Sequence, residues 1–256
     1  MIYEIATCRQ DQIKTFDDVR KSLLFRIYVD TDIEIWRANT FWEKEPETLA
    51  WIDSMRPGEI LYDIGANIGI YTLYAAARGI QVVAVEPVLE NYMRLVQNIE
   101  LNHFKNVIPI YGACGYHIPN EIFDELFIEN ITIGASGSQL KTEAWANTTT
   151  LGGRLRKVPL YNLDDLSSAL GLHHDHIKVD VDGQEKKIVL GFYGIFYTKS
   201  VLVEINPEAW PIEEAIRIMS NFRMVPDTQF NLMSPHSSER RQKEGIKAVN
   251  MVFVKA

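Results

Sequence analysis

EILYDIGANIGIYTLY, residues 59–74, decides the fold, because the spacing of its apolar residues changes in the middle. The residues up to Ile64 form an apolar run that carries the acid Asp63, as expected of a buried strand. After Gly69 the apolar residues recur every three or four positions, as in a helix. Gly65 and Gly69 separate the two patterns and permit a sharp turn. The stretch therefore predicts a strand, a tight turn and a helix.

The residue types in the turn indicate which kind of cofactor it could bind. A dinucleotide fingerprint reads GxGxxG, whereas this turn reads Asp63-x-Gly65-x-Asn67-x-Gly69 and lacks the second glycine. A carboxylate at the strand end repels a pyrophosphate but suits a ligand that carries an ammonium group and a sulfonium. The turn therefore indicates S-adenosylmethionine. An ordinary strand, turn and helix with a solvated aspartate is the alternative, because a single glycine motif is weak evidence.

A second acid supports the prediction of an S-adenosylmethionine site. Residues 81–85 form the next apolar strand, which ends at Glu86-Pro87. Glu86 follows Asp63 by roughly 20 residues, close to where a βαβ unit places the acid that accepts both ribose hydroxyls. The alternative is a surface glutamate at a strand end. Residues 107–111 form a third strand, and the two small residues after it would lie at the adenine end, although a plain turn is equally compatible with them.

Two later strands carry acids that a sheet buried on both sides would not normally tolerate. Residues 177–181 and 201–205 are the apolar runs. Alternation places Lys178, Asp180 and Asp182 on one face of the first, and Glu204 lies in the second. Buried polar groups cost free energy unless they pair or take part in binding. These acids are candidate bases for a bound acceptor, with Asp180 the first choice because of its position at the carboxyl edge.

Two further sets of polar residues are candidates for metal binding or proton transfer. Asp180, Glu204 and Asn206 could bind Mg²⁺ through hard oxygen ligands, although no metal ligand is expected. Three histidines precede the fourth core strand, at the opposite edge, and are expected to lie on the surface. They are His173, His174 and His176.

Composition limits the class of protein. The chain has 256 residues, 46% of them hydrophobic and 23% charged, which suits one large α/β domain. The formal net charge of −8 gives no overall positive field, so nucleic acid is not expected as a partner. Two cysteines, no visible signal peptide and no apolar run of membrane-spanning length predict a cytoplasmic protein without a membrane span. The oligomeric state is left open.

The chain is predicted to divide near residue 45. Residues 1–45 would form a cap over the site or cover a sheet edge, and residues 46–256 would form the cofactor-binding domain. The first part has short β-like pieces at residues 24–29 and 33–36. It also has an aromatic cluster, for which plain packing is favoured over a lid. The cluster comprises Trp36, Phe41 and Trp42.

The α/β alternation lapses between Tyr116 and Arg156. Residues 126–128 and 131–133 are expected to pair as a hairpin within this stretch. Small and polar residues follow, from Gly134 through Gly152-Gly153. A loop of this length inside a compact domain is more often a functional segment than random coil, so a substrate loop is predicted here, with a disordered insertion as the alternative.

Taken in order, these motifs resemble the FkbM family of class I S-adenosylmethionine-dependent methyltransferases. The resemblance rests on RPG at 56–58, DIGANIG at 63–69, EP at 86–87, NLDDL at 162–166 and IKVDVDG at 177–183. Several motifs in the right order are far more specific than any one alone. Asp182 departs from the family, which usually has Glu there, and Gln184 replaces a small or apolar residue. Both departures lie on the acceptor side.

The resemblance implies a Rossmann-like α/β fold, with a seven-stranded, mostly parallel sheet, helices on both faces and an antiparallel last strand. It also implies O-methylation of a hydroxyl on a sugar, glycan or secondary metabolite. A non-catalytic S-adenosylmethionine-binding protein is one alternative, and a nicotinamide-dependent oxidoreductase is a less favoured one. The expected cofactor-binding residues are Asp63, Gly65, Ala66, Asn67, Gly69, Thr72, Glu86, Pro87, Gly112, Ala113 and Asp180. The expected catalytic residues are Asp180, Asp182 and Glu204.

Overall fold

The computed structural model describes residues 12–18, 23–116, 123–140, 154–233 and 248–256. The N-terminal elements are β1 (Ile13–Asp18), β2 (Leu23–Tyr28), α1 (Asp32–Lys44) and α2 (Pro46–Asp53). The first half of the main sheet follows, with β3 (Ile60–Ile64), α3 (Ile70–Ala77), β4 (Gln81–Glu86), α4 (Leu89–Leu101) and β5 (Val107–Tyr111).

Four strands then form a smaller sheet: β6 (Ala113–Cys114), β7 (Phe123–Ile128), β8 (Gln139–Leu140) and β9 (Arg154–Tyr161). The second half of the main sheet begins with α5 (Leu163–Leu170), β10 (His176–Val179), α6 (Glu185–Leu190), a 3₁₀ helix (Tyr193–Tyr197) and β11 (Ser200–Ile205). It ends with α7 (Ile212–Asn221), β12 (Met224–Pro226), α8 (Thr228–Met233) and β13 (Val249–Lys255).

Within the described residues, the main sheet has seven strands in the order β12-β13-β11-β10-β3-β4-β5. The strands from β11 to β5 run parallel, and β13 pairs antiparallel with β11 and β12. The prediction of a Rossmann-like sheet with an antiparallel last strand is therefore confirmed. The chain runs from β3 outward to β5 and then returns to β10 on the other side of β3. Open α/β sheets bind ligands at such a reversal, beyond the carboxyl ends of the strands.

Two apolar layers cover the main sheet. Side chains of α2, α3 and α4 pack on one face, and those of α5, α6 and α7 pack on the other. Alternation along β3 divides its residues between the two layers, with Leu61 on the first face and Ile60 and Tyr62 on the second. This burial on both faces explains why the strands read as nearly continuous apolar runs.

The expected strand at residues 33–36 is wrong, because this segment lies in α1. Thr31 and Glu34 form a capping box: the Thr31 hydroxyl accepts from the amide of Glu34 at 3.1 Å, and the Glu34 carboxylate accepts from the amide of Thr31 at 2.9 Å. These reciprocal bonds satisfy amides at the helix start and outweigh the local β propensity.

The aromatic residues of α1 have different environments. Phe41 is buried, with its ring centroid 5.7 Å from that of Phe25 and 5.5 Å from that of Tyr74. Trp36 and Trp42 are exposed. Phe41 thus joins the core that the N-terminal segment shares with α3. The division of the chain at residue 45 stays a prediction.

The expected hairpin of residues 126–128 with 131–133 is also wrong. β7 pairs antiparallel with β9 and with β8, and residues 131–133 form no strand. The side chain of Asn130 accepts from the amide of Thr132 at 2.8 Å, and this local bond favours a turn over an extended strand. Gly152-Gly153, at the end of the predicted substrate loop, lie outside the described residues.

Two of the three histidines are buried, against expectation. All three precede or begin β10, at the edge opposite the strand ends, as predicted, but only His173 is exposed. His176 contacts the Ser200 hydroxyl at 2.7 Å and the Glu59 carboxylate at 3.0 Å. His174 contacts the hydroxyl of Thr198. These polar partners make burial possible. No helix in the described part of the chain is long and apolar enough to cross a membrane.

Gly65 occupies a position where a side chain would collide with the backbone directly after β10. Its φ is +87°, and an added Cβ would lie 1.8 Å from the carbonyl oxygen of Asp180. Gly58 has almost the same φ, +88°, but has nothing within 4 Å of an added Cβ. We expect Gly58→Ala to lower the free energy of unfolding by about 1–2 kcal/mol, the cost of left-handed backbone. Gly65→Ala should cost at least about 2 kcal/mol more, because neighbouring backbone must move.

Urea unfolding of the two variants measures the difference, with Gly58→Ala as the matched control for backbone conformation. Equal losses would show that the close approach of the two strand ends does not constrain residue 65.

Candidate functional site

A cleft of about 1090 Å³, open to solvent, lies at the carboxyl ends of β3, β4, β10 and β11. Most of the predicted site residues line it. They are Asp63, Gly65, Ala66, Asn67, Glu86, Pro87, Gly112, Ala113, Asp180, Asp182 and Glu204. Gly69 and Thr72 do not line the cleft: Gly69 precedes α3 and packs near Leu95, and Thr72 is fully buried. The structure thus brings the predicted residues together, while their roles stay predictions.

The turn between β3 and α3 is bonded to its surroundings through its amides. The amides of residues 65 and 66 donate to the Val85 carbonyl, at 2.9 and 3.0 Å. The amide of Asn67 donates to the Glu86 carboxylate at 2.8 Å, and that of Ile68 donates to the Asn67 side chain at 2.9 Å. Asn67 takes a left-handed φ of 53°, which asparagine tolerates better than most residues. The turn is therefore held in place, and these four amides are already used.

Glu86 is buried beside this turn. One carboxylate oxygen accepts from the amide of Asn67, and the other accepts from the amide of Val88 at 2.9 Å. Burial raises the pKa of Glu86 from 4.5 to about 7, although these hydrogen bonds oppose the change. Each carboxylate oxygen has a second lone pair, so Glu86 can still accept bonds from two hydroxyl groups of a ligand in the cleft.

A buried lysine, Lys178, holds several acids together on the other side of the turn. Its side chain is 2% exposed, and its Nζ donates to Asp180 at 2.7 Å. Nζ also lies 5.4 Å from the centroid of the Tyr71 ring. Burial alone would lower the pKa of Lys178, but the charges of Asp180, Asp63 and Glu45 outweigh it and raise the pKa above its usual value. The lysine therefore stays charged in the core.

Asp63 leaves one oxygen without a partner. The Thr72 hydroxyl donates to its Oδ2 at 2.6 Å, whereas Oδ1 is buried and has no hydrogen-bond partner among the described residues. Burial raises the pKa of Asp63 above its usual value, and Lys178 and Thr72 offset this in part. Because an unpaired buried carboxylate oxygen is costly, Oδ1 is an atom that a donor on a ligand would satisfy.

The three predicted bases lie in different environments. Asp180 is bonded to Lys178, and Asp182 accepts from the amide of Gly137 at 2.7 Å. No ion pair joins Glu204 to another residue in the part of the chain that the structure describes. The negative charge of Asp180, together with burial, raises the pKa of Glu204 well above its usual value. A carboxylate with a raised pKa binds a proton more readily than an ordinary glutamate does, which suits a general base.

Three cleft residues that lie in α1 or directly after it were not identified from the sequence: Arg37, Lys44 and Glu45. Glu45 is 2% exposed and separates α1 from α2. Burial opposes its ionisation, but Lys44 and Lys178 outweigh burial and lower the pKa of Glu45 to about 2. A charged residue before a proline is typical of a solvated helix boundary, so the sequence offered no signal for its burial.

The Mg²⁺ alternative required Asp180, Glu204 and Asn206 to converge. Asn206 does not line the cleft, and its side-chain oxygen accepts from the amide of Glu208 at 3.1 Å. Across the described ranges, no cluster of three or more His, Cys, Asp or Glu side chains is placed to hold a metal ion.

Comparison with known proteins gives a match over most of the chain. A family model described as the methyltransferase FkbM domain matches residues 63–224. Similar solved structures include magnesium protoporphyrin IX methyltransferase from Synechocystis PCC 6803 with bound SAM, at a TM-score of 0.49 and 9% identity, covering 88% of this chain and 85% of that one. They also include M. jannaschii TYW2 in complex with AdoMet, at a TM-score of 0.45 and 13% identity, covering 98% and 90%.

Two curated relatives match shorter parts of the sequence. The tRNA (guanine(37)-N(1))-methyltransferase of Leishmania major is 36% identical over 74 residues, which are 28% of this chain and 10% of that protein. The enzyme of the same name from Leishmania braziliensis is 32% identical over 96 residues, or 36% and 13%. The matches thus span only about a tenth of the length of these relatives.

The prediction that excluded nucleic acid as a partner is wrong, because these relatives are named as tRNA methyltransferases. The exclusion rested on the net charge of the chain. Net charge averages over the whole surface and does not report local basic regions. β9 carries two exposed cations, Arg154 and Lys157.

We expect Lys178→Met to lower the free energy of unfolding by about 3–5 kcal/mol at pH 8, because the buried acids lose their shared cation. Without that cation the acids would have higher pKa values folded than unfolded, so the folded variant would bind protons more tightly. The difference in free energy of unfolding between the native protein and Lys178→Met should therefore be smaller at pH 5 than at pH 8. Urea unfolding at both pH values measures this.

The matched control is Lys186→Met, since Lys186 forms an ion pair with Glu214 at 2.8 Å but is 38% exposed. It should cost less than about 1 kcal/mol and show no such pH dependence. A Lys178→Met deficit that is the same at both pH values would mean that the acids do not depend on this lysine.

Proposed function

The chain belongs to the FkbM methyltransferase family, as its motifs indicated, and we propose that it transfers a methyl group from S-adenosylmethionine to a hydroxyl of a small molecule or glycan. The observation that carries the proposal is the set of acids at the ends of three adjacent strands, Asp63, Asp180 and Glu204, of which Glu204 has a raised pKa. These groups can accept a proton from a bound acceptor.

The cleft residues fit the cofactor. Glu86 can accept bonds from the two ribose hydroxyls, and the unpaired Oδ1 of Asp63 can accept a bond from the ammonium group. Gly112, Ala113 and the apolar side chain of Leu126 also line the cleft and would contact the flat adenine base. When bound, S-adenosylmethionine supplies a methyl group on a positively charged sulfur, and the nearby acids favour that charge.

The protein's first task is to align the acceptor oxygen with the methyl group. Such alignment can contribute on the order of 7–11 kcal/mol. A base that takes the hydroxyl proton adds roughly a hundred- to ten-thousand-fold. We assign that role to Glu204. Asp180, held in place by Lys178, raises the pKa of Glu204 through its negative charge, and the positive charge of the cofactor favours the ionised form of Glu204 that accepts the proton.

N-methylation of a base in RNA is the second candidate function. The names of the two curated relatives favour it. The exposed Arg154 and Lys157 on β9 would suit contacts with phosphates. A ring nitrogen is a better nucleophile than a sugar hydroxyl and places a smaller demand on a base, so Glu204 should matter less in this case.

The test of function is transfer of radiolabelled methyl from S-adenosylmethionine to two sets of acceptors: a panel of mono- and oligosaccharides, and an unmodified tRNA transcript. We expect label in the hydroxyl panel. Glu204→Gln should lower kcat by roughly a hundred- to ten-thousand-fold and leave the affinity for S-adenosylhomocysteine unchanged, because a base contributes that much to proton transfer.

Glu208→Gln, an exposed change on the same segment, is the matched control. Label in the tRNA alone would replace the hydroxyl proposal with RNA methylation. Binding of the cofactor without transfer to either set would favour a non-catalytic binding protein.

The raised pKa of Glu86 predicts a pH dependence of cofactor binding. If the ionised carboxylate accepts the ribose hydroxyls, the affinity for S-adenosylhomocysteine should fall below about pH 7, approaching about tenfold per pH unit. The free energy of unfolding should rise as the pH falls from about 7 to 4.5, because the folded protein binds the Glu86 proton more tightly than the unfolded chain does. The loss of affinity is therefore not a loss of structure.

Calorimetric titration at pH 5.5 to 8.5 measures this dependence, which should largely disappear in Glu86→Gln. The control is Glu90→Gln, because Glu90 pairs with Arg156 at 2.6 Å and does not line the cleft. An unchanged profile in Glu86→Gln would show that this carboxyl is not the titrating group.

A further inference from the structure

The cations of the cleft are unequally paired. Three line it within the described ranges: Arg37, Lys44 and Lys178. Both lysines are bonded to carboxylates, Lys44 to Glu45 at 2.6 Å and Lys178 to Asp180 at 2.7 Å. Arg37 donates through Nε to the carbonyl of Gly134 at 2.6 Å, a neutral acceptor, and forms no ion pair with a described residue. Its guanidinium is therefore the cation available to an anionic group.

Arg37 is held close to the turn between β3 and α3. Its Nε is bonded to the Gly134 carbonyl, and the side-chain amide of Asn67 donates to the next carbonyl, that of Ala135, at 2.8 Å. Because consecutive Cα atoms lie about 3.8 Å apart, these two bonds place the guanidinium near Asn67. The bond through Nε fixes the plane of the guanidinium and leaves its two terminal amino groups to donate side by side.

The turn itself offers few donors to an anion. In many folds a carboxylate or phosphate binds backbone amides at the start of a helix. Here the amides of residues 65–68 donate to Val85, to Glu86 and to the side chain of Asn67. An anionic group beside residues 65–68 must therefore find its donors elsewhere, and a side chain with two free amino groups can supply them.

S-adenosylmethionine would bring one anionic group into a cleft whose charged residues are mostly acids. Its sulfonium and ammonium groups suit Asp63, Asp180 and Glu204, whereas its carboxylate would be repelled by them. Arg37 carries the charge and the paired donors that a carboxylate requires. Its charge also acts on Glu86, whose pKa it lowers as a minor contribution beside burial, so Arg37 lies within electrostatic reach of the predicted ribose site.

We propose that Arg37 binds the carboxylate of the methionine part of S-adenosylmethionine through its terminal amino groups. The proposal rests on the function proposed above and adds a cofactor-binding residue from α1, outside the stretch that matches the family model. It also gives α1 a role in the site: the helix would be held against the bound cofactor by charge, and against Gly134 by the Nε bond.

Calorimetric titration with two ligands tests the proposal on the full chain. One is S-adenosylhomocysteine, and the other is its decarboxylated analogue S-adenosyl-3-thiopropylamine, which keeps the amine and the nucleoside. Arg37→Gln should weaken binding of the first by about 10- to 100-fold and change binding of the second by less than about threefold, because only the first has a carboxylate to lose. Arg37→Lys, which keeps the charge but not the paired donors, should recover part of the loss.

Arg217→Gln is the matched control, since Arg217 is 68% exposed and lies outside the cleft. It should change neither affinity. Comparing the two ligands on one preparation removes any effect of a reduced folded fraction, because misfolding lowers the active concentration for both alike.

Three results would overturn the proposal. Equal weakening of both ligands in Arg37→Gln would mean that Arg37 only holds α1 against Gly134. An unchanged affinity for S-adenosylhomocysteine would mean that the carboxylate binds elsewhere. Failure of the native protein to bind S-adenosylhomocysteine would overturn the proposed function as well, whereas either of the first two results leaves that function standing.

Discussion

The site depends on the ion pair between Lys178 and Asp180. A lysine on a strand that is buried on both faces is stable only if carboxylates surround it, because the desolvation of an unpaired ammonium is costly. Asp180, Asp63 and Glu45 provide that charge, and the Lys178 ammonium in turn opposes the effect of burial on the pKa of Asp63 and of Glu45. The acids therefore persist in the core as a set, and their place at the strand ends makes them available to a ligand.

This set brings together parts of the chain that are distant in sequence. Glu45 comes from the boundary of α1 and α2, Asp63 from β3, and Asp180 from the position directly after β10. The segment after β7 closes one side of the cleft, where the amide of Gly137 donates to Asp182. The close approach of Gly65 to the Asp180 carbonyl keeps the two central strand ends together. The geometry of the cleft thus follows from backbone contacts as well as from charge.

The sequence predicted the central sheet and most of the cleft lining, because buried parallel strands are apolar runs and their carboxyl ends meet at one edge. The sequence-based predictions were wrong where a contact between residues distant in sequence, or a local hydrogen bond, determines the structure. The capping box of Thr31 and Glu34 turned an apparent strand into a helix. His176 is buried because Ser200 and Glu59, remote in sequence, satisfy its ring. Glu45 resembled a solvated residue at a helix boundary. No residue near it in the sequence indicated that it would be buried close to Lys178.

The charge of Asp180 has two consequences that connect structure to chemistry. It compensates Lys178, which keeps the core stable, and it raises the pKa of Glu204, which makes that carboxylate a stronger base. The same negative charge favours a sulfonium in the cleft. A positively charged ligand therefore partly offsets the repulsion between Asp180 and Glu204, and Glu204 becomes ionised more readily once that ligand is bound. Binding of the methyl donor and ionisation of Glu204 would then be linked through one electrostatic interaction, without any movement of the backbone.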